Sequence, residues 1–241
     1  MVNKNKKISM AGPLITKEDE KFVLDAFRNS WYGDKIYYYV EKFEDDFAKF
    51  HNRKFALMTP NCTTAIHLLL AGLDIKENDE VIAPECTWVG SVAGIKYQRA
   101  KIVLADIDNK NWCLTKESIE RVITKNTKAV IVVNLYGNMP DYEQITKLCE
   151  DRNIFLIEDA AESLGSTYFN IKSGKFGIGS VFSFQRTKTI TTGEGGMLLL
   201  DNKDLFERCK FLRDHGRKSG SFFNTEITFK YMPFNIQAAL G

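Results

Sequence analysis

Several things are scarce in this 241-residue chain. Five cysteines, Cys62, Cys86, Cys113, Cys149 and Cys209, are odd in number, widely spaced and free of any C-x-x-C, which argues against a disulfide framework or a zinc site. His51, His67 and His215 are equally scattered, so no histidine-based metal or triad spacing is present. No apolar run approaches a membrane span, and the N-terminus is too polar for a signal peptide. Charge of one sign is not in excess: 33 basic and 31 acidic residues are interspersed and leave a net charge of +2, which offers no basic face to nucleic acid. The one basic cluster, Lys4, Lys6 and Lys7, reads as a solvated tail. Repeats, low-complexity tracts and Pro/Gly/Ser-rich linkers are missing too. A cytoplasmic enzyme or binding protein with no metal, nucleic-acid or membrane partner fits these absences.

What is present is ordinary globular composition, 44% hydrophobic and 27% charged, with enough chain for one large core. Thr16 before Lys17, Glu18, Asp19 and Glu20 predicts a helix start, with Phe22, Val23, Ala26 and Phe27 as its apolar face. Trp31 to Tyr39 reads as irregular with a turn at Gly33, and Val40, Phe43, Phe47 and Phe50 mark a second, core-facing helix. From there short apolar runs alternate with amphipathic stretches. The runs are 55–58, 81–83, 102–105, 129–133 and 154–157; the helical stretches are 64–72, 88–98, 116–124 and 142–152. Continuous apolar strands alternating with helices predict an α/β domain of three layers, its mostly parallel sheet covered on both faces. Two more strands, 181–184 and 197–200, precede a helix over 203–214 and a final helical segment over 235–241. That last segment breaks off in its second turn, so the chain is expected to be cut short.

The stretch SFQRTKTITTGEGG, Ser183 to Gly196, places Lys188 on a polar loop at the end of a strand, between Thr187 and Thr189. Gly193, Gly195 and Gly196 supply the turn back, where positive φ or a close approach is needed. An amine so placed suits a Schiff base with a carbonyl cofactor such as pyridoxal 5′-phosphate (PLP). A lone lysine on a loop is ordinarily a solvated charge, so partners must decide. Asn61-Cys62-Thr63-Thr64 opens a helix and offers free amides and hydroxyls to a phosphate, or else Thr63 or Thr64 simply caps that helix. Asp159, at the carboxyl end of a strand, could pair with a pyridinium nitrogen. Equally, Asp159 to Glu162 has the spacing of a capping box. Trp88 could stack on a flat ring or lie in the core. The Ser183 hydroxyl could reach a phosphate or satisfy a strand end.

Three motifs, IEDAAESLGS at 157–166, SFQRTKTITTGEGGM at 183–197 and FKYMPFNIQAALG at 229–241, make the chain resemble the DegT/DnrJ/EryC1/StrS sugar aminotransferases. The resemblance runs from about Leu14 to Gly241 and implies the large domain of fold type I PLP enzymes over 31–241, preceded by an arm and helix over 1–30. It implies that Lys188 carries the cofactor and that Asp159 pairs with its ring nitrogen. By the same likeness Trp88 stacks on the ring, Thr63, Thr64 and Ser183 bind the phosphate, and Glu162 lies near the phenolic oxygen. Lys230 would reach the cofactor phosphate of a neighbouring subunit, which implies a homodimer with shared sites. Cys62 stands where relatives carry Gly, Met232 where many carry Arg or Lys, and the family's small C-terminal domain would follow the last motif. The implied activity is transfer of an amino group from glutamate to a nucleotide-activated keto sugar, for surface polysaccharide or lipopolysaccharide. Two alternatives stay open: a PLP-dependent sugar dehydratase, against which Lys188 argues, and a PLP-binding remnant or regulatory module that does not turn over.

Overall fold

A computed structural model describes residues 12–218 and 220–241. Lys4, Lys6 and Lys7, read above as a solvated tail, lie outside the described residues. Helices α1 (Lys17–Asn29) and α2 (Tyr38–Phe50) lead into β1 (Phe55–Thr59) and α3 (Cys62–Gly72). Next come β2 (Glu80–Pro84), α4 (Gly90–Tyr97), β3 (Lys101–Ala105), α5 (Lys116–Glu120), β4 (Thr127–Val133), α6 (Tyr142–Asp151) and β5 (Phe155–Asp159). A small hairpin, β6 (Thr167–Tyr168) and β7 (Ile171–Lys172), precedes β8 (Gly179–Ser183), β9 (Gly196–Leu200), α7 (Lys203–Arg213) and α8 (Asn235–Leu240).

Seven strands form one sheet in the order β1-β9-β8-β5-β4-β2-β3. All neighbouring pairs are parallel except the two that involve β9, so β9 alone runs against the rest. The period-two alternation of the strands sorts their side chains onto two faces. Leu57, Val81, Ala83, Ala129, Ile131, Val133, Ile157, Val181, Leu198 and Leu200 join one core with α3 and α7. Their neighbours Ile82, Val130, Val132 and Leu156 meet α5 and α6, while Ala56, Met58, Phe182, Met197 and Leu199 meet α2 and α8. Both faces are covered, so the strands read as unbroken apolar runs. This is the expected three-layer α/β architecture. Helix α3 is wedged between sheet, α4 and α7, with Leu68, Leu69 and Leu70 all fully buried. A helix apolar on every side belongs in such a position, and each leucine contributes about 1.5–3 kcal/mol of burial.

Several local expectations need correction. The capping box of α1 forms between Thr16 and Asp19, yet of its apolar face only Ala26 is buried, because α1 lies on the rim and packs chiefly on α8. Phe22 and Phe27 remain 37% and 55% exposed. Phe50 ends α2 pointing outward, beneath the Lys172 ammonium. Helices α4 and α5 are shorter than their periodicity suggests, starting at Gly90 and ending at Glu120.

Two buried imidazoles give this fold a pH signature. His51 Nδ1 lies 2.7 Å from the Ser173 carbonyl, so Nδ1 carries the proton, and Nε2 has no partner among the described residues. His67 lies between Tyr231 Oη and Gln98 Nε2, at 2.9 and 2.7 Å. Burial lowers both pKa values from 6.5 to about 4. As pH falls from 6.5 toward 4, the unfolded chain takes up protons on these residues that the folded chain refuses, so stability is lost across that window. Glu158, raised by burial to about 7 from 4.5, acts in the opposite sense: its contribution is lost as pH rises. The expected result is that the imidazole C–H resonances of His51 and His67 hold their neutral NMR positions down to about pH 5 and pass their midpoints near 4. Titration of either near 6.5 overturns this assignment.

Candidate functional site

The carboxyl ends of β1, β2, β4, β5 and β8 converge on one cavity of about 750 Å³, and the amino end of the reversed strand β9 closes it. This is the sheet edge where ligands of open α/β folds gather. Asn61 to Thr64, Trp88, Asp159, Glu162, Ser183 and Lys188 all line it, so seven of the eight site residues expected from the sequence come together. Lys230 does not line it. That side chain is half exposed and donates to Asp214 Oδ1 at 2.9 Å.

The first turn of α3 is built differently from either cap considered above. Asn61 is the N-cap: its Oδ1 accepts from the Thr64 amide at 2.9 Å, and its own amide donates to Thr64 Oγ1 at 3.3 Å. Thr64 Oγ1 also donates to the Asn61 carbonyl at 2.7 Å, so its hydroxyl is committed to the cap. Thr63 Oγ1 is not, and it stands beside the first-turn amides, a natural seat for an anion. The backbone of β9 presses against this turn. A Cβ on Gly196 would lie 2.4 Å from the Asn61 carbonyl carbon and 2.6 Å from the Cys62 nitrogen. Gly196 is therefore glycine for space, whereas Gly193 is glycine for its φ of +83°. Gly196→Ala must push α3 off the sheet edge; the expected outcome is a loss of roughly 1–3 kcal/mol in denaturant titrations. Unchanged stability would mean that the β9–α3 contact yields easily.

Asp159 is 3% exposed, and its surroundings correct the capping-box alternative: no helix follows it. The Ala160 amide instead donates to the Val181 carbonyl at 2.9 Å, prolonging the ladder between β5 and β8. Asp159 Oδ2 accepts from Ser91 Oγ at 2.7 Å, and Oδ1 from the Ala161 amide at 3.1 Å, with Cys62 Sγ 3.9 Å away. Burial raises its pKa, and the Ser91 hydroxyl, the Ala161 amide and the Lys188 charge act against that rise. Burial and Asp159 also push the Cys62 thiol well above its ordinary range.

Lys188 is not held by Thr187 and Thr189. Thr187 turns back onto Gln185, and the Lys188 ammonium pairs with Glu162 Oε1 at 3.0 Å. Glu162 Oε2 in turn accepts from the Tyr136 amide at 2.9 Å, at a residue held at φ +52°. Trp88 is 78% exposed at the rim, which removes the core alternative and leaves its ring free. Ser183 Oγ accepts from the Gln185 amide at 3.3 Å, satisfying the strand end while facing the cavity. Two hydroxyls escaped the sequence reading, Ser91 and Thr87, whose Oγ atoms are 2.9 Å apart. Their i,i+4 spacing was the available signal, but it looks like any polar helix start.

This residue set fits PLP. A primary amine, a buried carboxylate, an anion seat at a helix N-terminus and a free indole surround one space large enough for a cofactor and part of a substrate.

Comparison with known proteins agrees with the geometry. The chain is 40% identical over 237 residues to a GDP-perosamine synthase of Escherichia coli O157:H7, covering 98% of this chain and 65% of that protein. Helicobacter pylori PseC, described as an aminotransferase involved in the biosynthesis of pseudoaminic acid, superposes with a TM-score of 0.88 at 29% identity, covering 98% of this chain and 64% of that one. A GDP-4-keto-6-deoxymannose-3-dehydratase, solved with a trapped PLP-glutamate geminal diamine, gives 0.88 at 26% identity, covering 97% and 66%. The chain thus spans just under two thirds of the length of these relatives. Since the family's sequence profile matches residues 13–241, nearly all of it, the chain belongs to the DegT/DnrJ/EryC1/StrS aminotransferase family.

Proposed function

We propose that this chain forms the cofactor-binding part of a PLP-dependent aminotransferase that converts a nucleotide-activated keto sugar to an amino sugar, with glutamate as donor. The observation that carries the reading is the Lys188 amine, paired with Glu162 in the same cavity as the buried Asp159 and the first turn of α3. The names of the relatives favour a GDP-linked 4-keto-6-deoxy sugar, and surface polysaccharide or lipopolysaccharide synthesis is the role that we propose for its product.

When bound, PLP supplies a ring that withdraws electrons from a carbon losing its proton. The chain's residues do the remainder. The α3 amides and Thr63 would hold the phosphate, with Ser183 facing it from β8. Asp159 would keep a proton on the ring nitrogen, which maintains the ring's electron demand. Lys188 would take the proton from the donor's α-carbon and deliver it to the cofactor carbon on the far side of the transferred nitrogen, reversing the transfer for the sugar. Glu162 orients that amine, and Trp88 would cover one ring face against water. Lys230 lies outside this cavity, paired with Asp214 on a half-exposed surface; in a homodimer it would exchange that partner for the cofactor phosphate of a second subunit.

The test is to incubate the purified chain with PLP, glutamate and GDP-4-keto-6-deoxymannose, following 2-oxoglutarate enzymatically and the sugar by mass spectrometry. An amino sugar formed together with 2-oxoglutarate is expected. A dehydrated sugar would instead support the second reading, which the dehydratase neighbour favours. Cofactor binding with neither product would leave a binding module.

A further inference from the structure

Asp159 sits in a shell whose hydrogen bonds can be counted. An ionised carboxylate offers about four lone-pair positions. Three are faced from within the chain: Ser91 Oγ at 2.7 Å, the Ala161 amide at 3.1 Å and Cys62 Sγ at 3.9 Å. One position remains for a donor in the cavity. The Ser91 hydroxyl has a single proton, and it points at Asp159. Thr87, 2.9 Å from Ser91 Oγ, must therefore be the donor in their contact. Two hydroxyls in series thus run from Thr87 through Ser91 to Asp159 Oδ2, and Ser91 is only 4% exposed.

We infer that Ser91 is a positioning residue. Its hydroxyl, oriented by Thr87, fixes the rotation of the Asp159 carboxylate and favours its charged form, so that the one uncommitted lone pair faces the cavity. The geometry stands without a cofactor; the catalytic consequence rests on the reading proposed above. The groups facing Asp159 are Cys62 from α3, Ser91 from α4, Ala161 and Glu162 from its own turn, and Lys188 from the loop between β8 and β9. Burial keeps Cys62 in its neutral form, and Lys188 and Glu162 act on Asp159 in opposite directions. Ser91 contributes the largest effect opposing burial. If Asp159 instead took up a proton, the series could reverse, with Asp159 donating to Ser91 and Ser91 to Thr87. Ser91→Ala removes the tether at a helical position where alanine is favourable, so the fold should hold.

The deciding measurement is ¹³C-carboxyl NMR of Asp159 across pH in the cofactor-free chain, with Asp159→Asn used only to assign the signal. Ser91→Ala is expected to raise the Asp159 titration by about one unit, and Ser91→Thr, which restores the hydroxyl, to reverse most of that rise. In the PLP-loaded chain, Ser91→Ala should lower kcat about 10- to 100-fold and move the acid limb of its pH profile upward. An Asp159 titration identical in wild type and Ser91→Ala overturns the inference whatever the activity. So does a shifted titration with unchanged kcat and pH profile in an active enzyme. If the titration shifts and no wild-type activity exists at all, the tether stands and the aminotransferase reading is what fails.

Discussion

Lys188→Ala is expected to abolish aminotransfer, lowering the rate by about 10⁴- to 10⁶-fold, as loss of a reacting nucleophile does elsewhere. The same variant should lose the visible absorption band that PLP produces with the wild-type chain. The plainer explanation of Lys188 is an ion pair with Glu162, since the two are 3.0 Å apart and the lysine side chain is 22% exposed. Lys188→Arg separates the two roles. Arginine keeps a cation beside Glu162, but its guanidinium does not deprotonate in proteins and cannot act as an amine. If the amine matters, Arg behaves like Ala. If only the charge matters, Arg restores most of the function. Borohydride reduction followed by peptide mass spectrometry locates the cofactor directly, and recovery of label on any other lysine would sink the assignment.

Much of this site was legible because its strands are buried on both faces. Apolar runs such as Ala129 to Val133 stand out in the sequence, and their carboxyl ends point to the sheet edge where Asp159, Ser183 and Lys188 meet. Local spacing misled where a tertiary bond competed with it. Asp159 to Glu162 has the spacing of a helix cap, but the Ala160 amide is drawn to Val181, and the chain turns instead. At α3 the nearest hydroxyls looked like caps, while the structure uses Asn61 as the cap and spends the Thr64 hydroxyl on the reciprocal bond. The hairpin of β6 and β7 was invisible because two residues per strand carry no periodicity. Buried charges gave no signal either. Arg53 is satisfied by the carbonyls of Gly174 and Phe176, each at 2.7 Å, and Glu158 by the amides of Gly174 and Phe176 at 2.8 and 3.0 Å. Those partners lie more than a hundred residues away from Arg53 in sequence, beyond the reach of any local pattern.

Asp159→Asn is expected to lower kcat by about 10³-fold while leaving PLP in place, the scale seen when a preorganised electrostatic partner is removed. The cofactor should still be held, because Lys188 and the first turn of α3 are untouched by the change. What is lost is charge: a neutral amide cannot keep a proton on a ring nitrogen. The amide oxygen of the variant side chain could still accept from the Ala161 amide, but its NH₂ group would face either Ser91 or the cavity, so the remaining contacts are altered as well as weakened. A purely structural loss and a loss of this charge are told apart by a cofactor analogue with carbon in place of the ring nitrogen. On the natural cofactor the two proteins should differ about 10³-fold; on the analogue that difference should vanish, because Asp159 then has nothing to pair with. Such a cycle isolates the pairwise interaction from everything else the substitution disturbs. Equal penalties on both cofactors would show that Asp159 serves the fold at the end of β5, through Ser91 and Ala161, and not the chemistry.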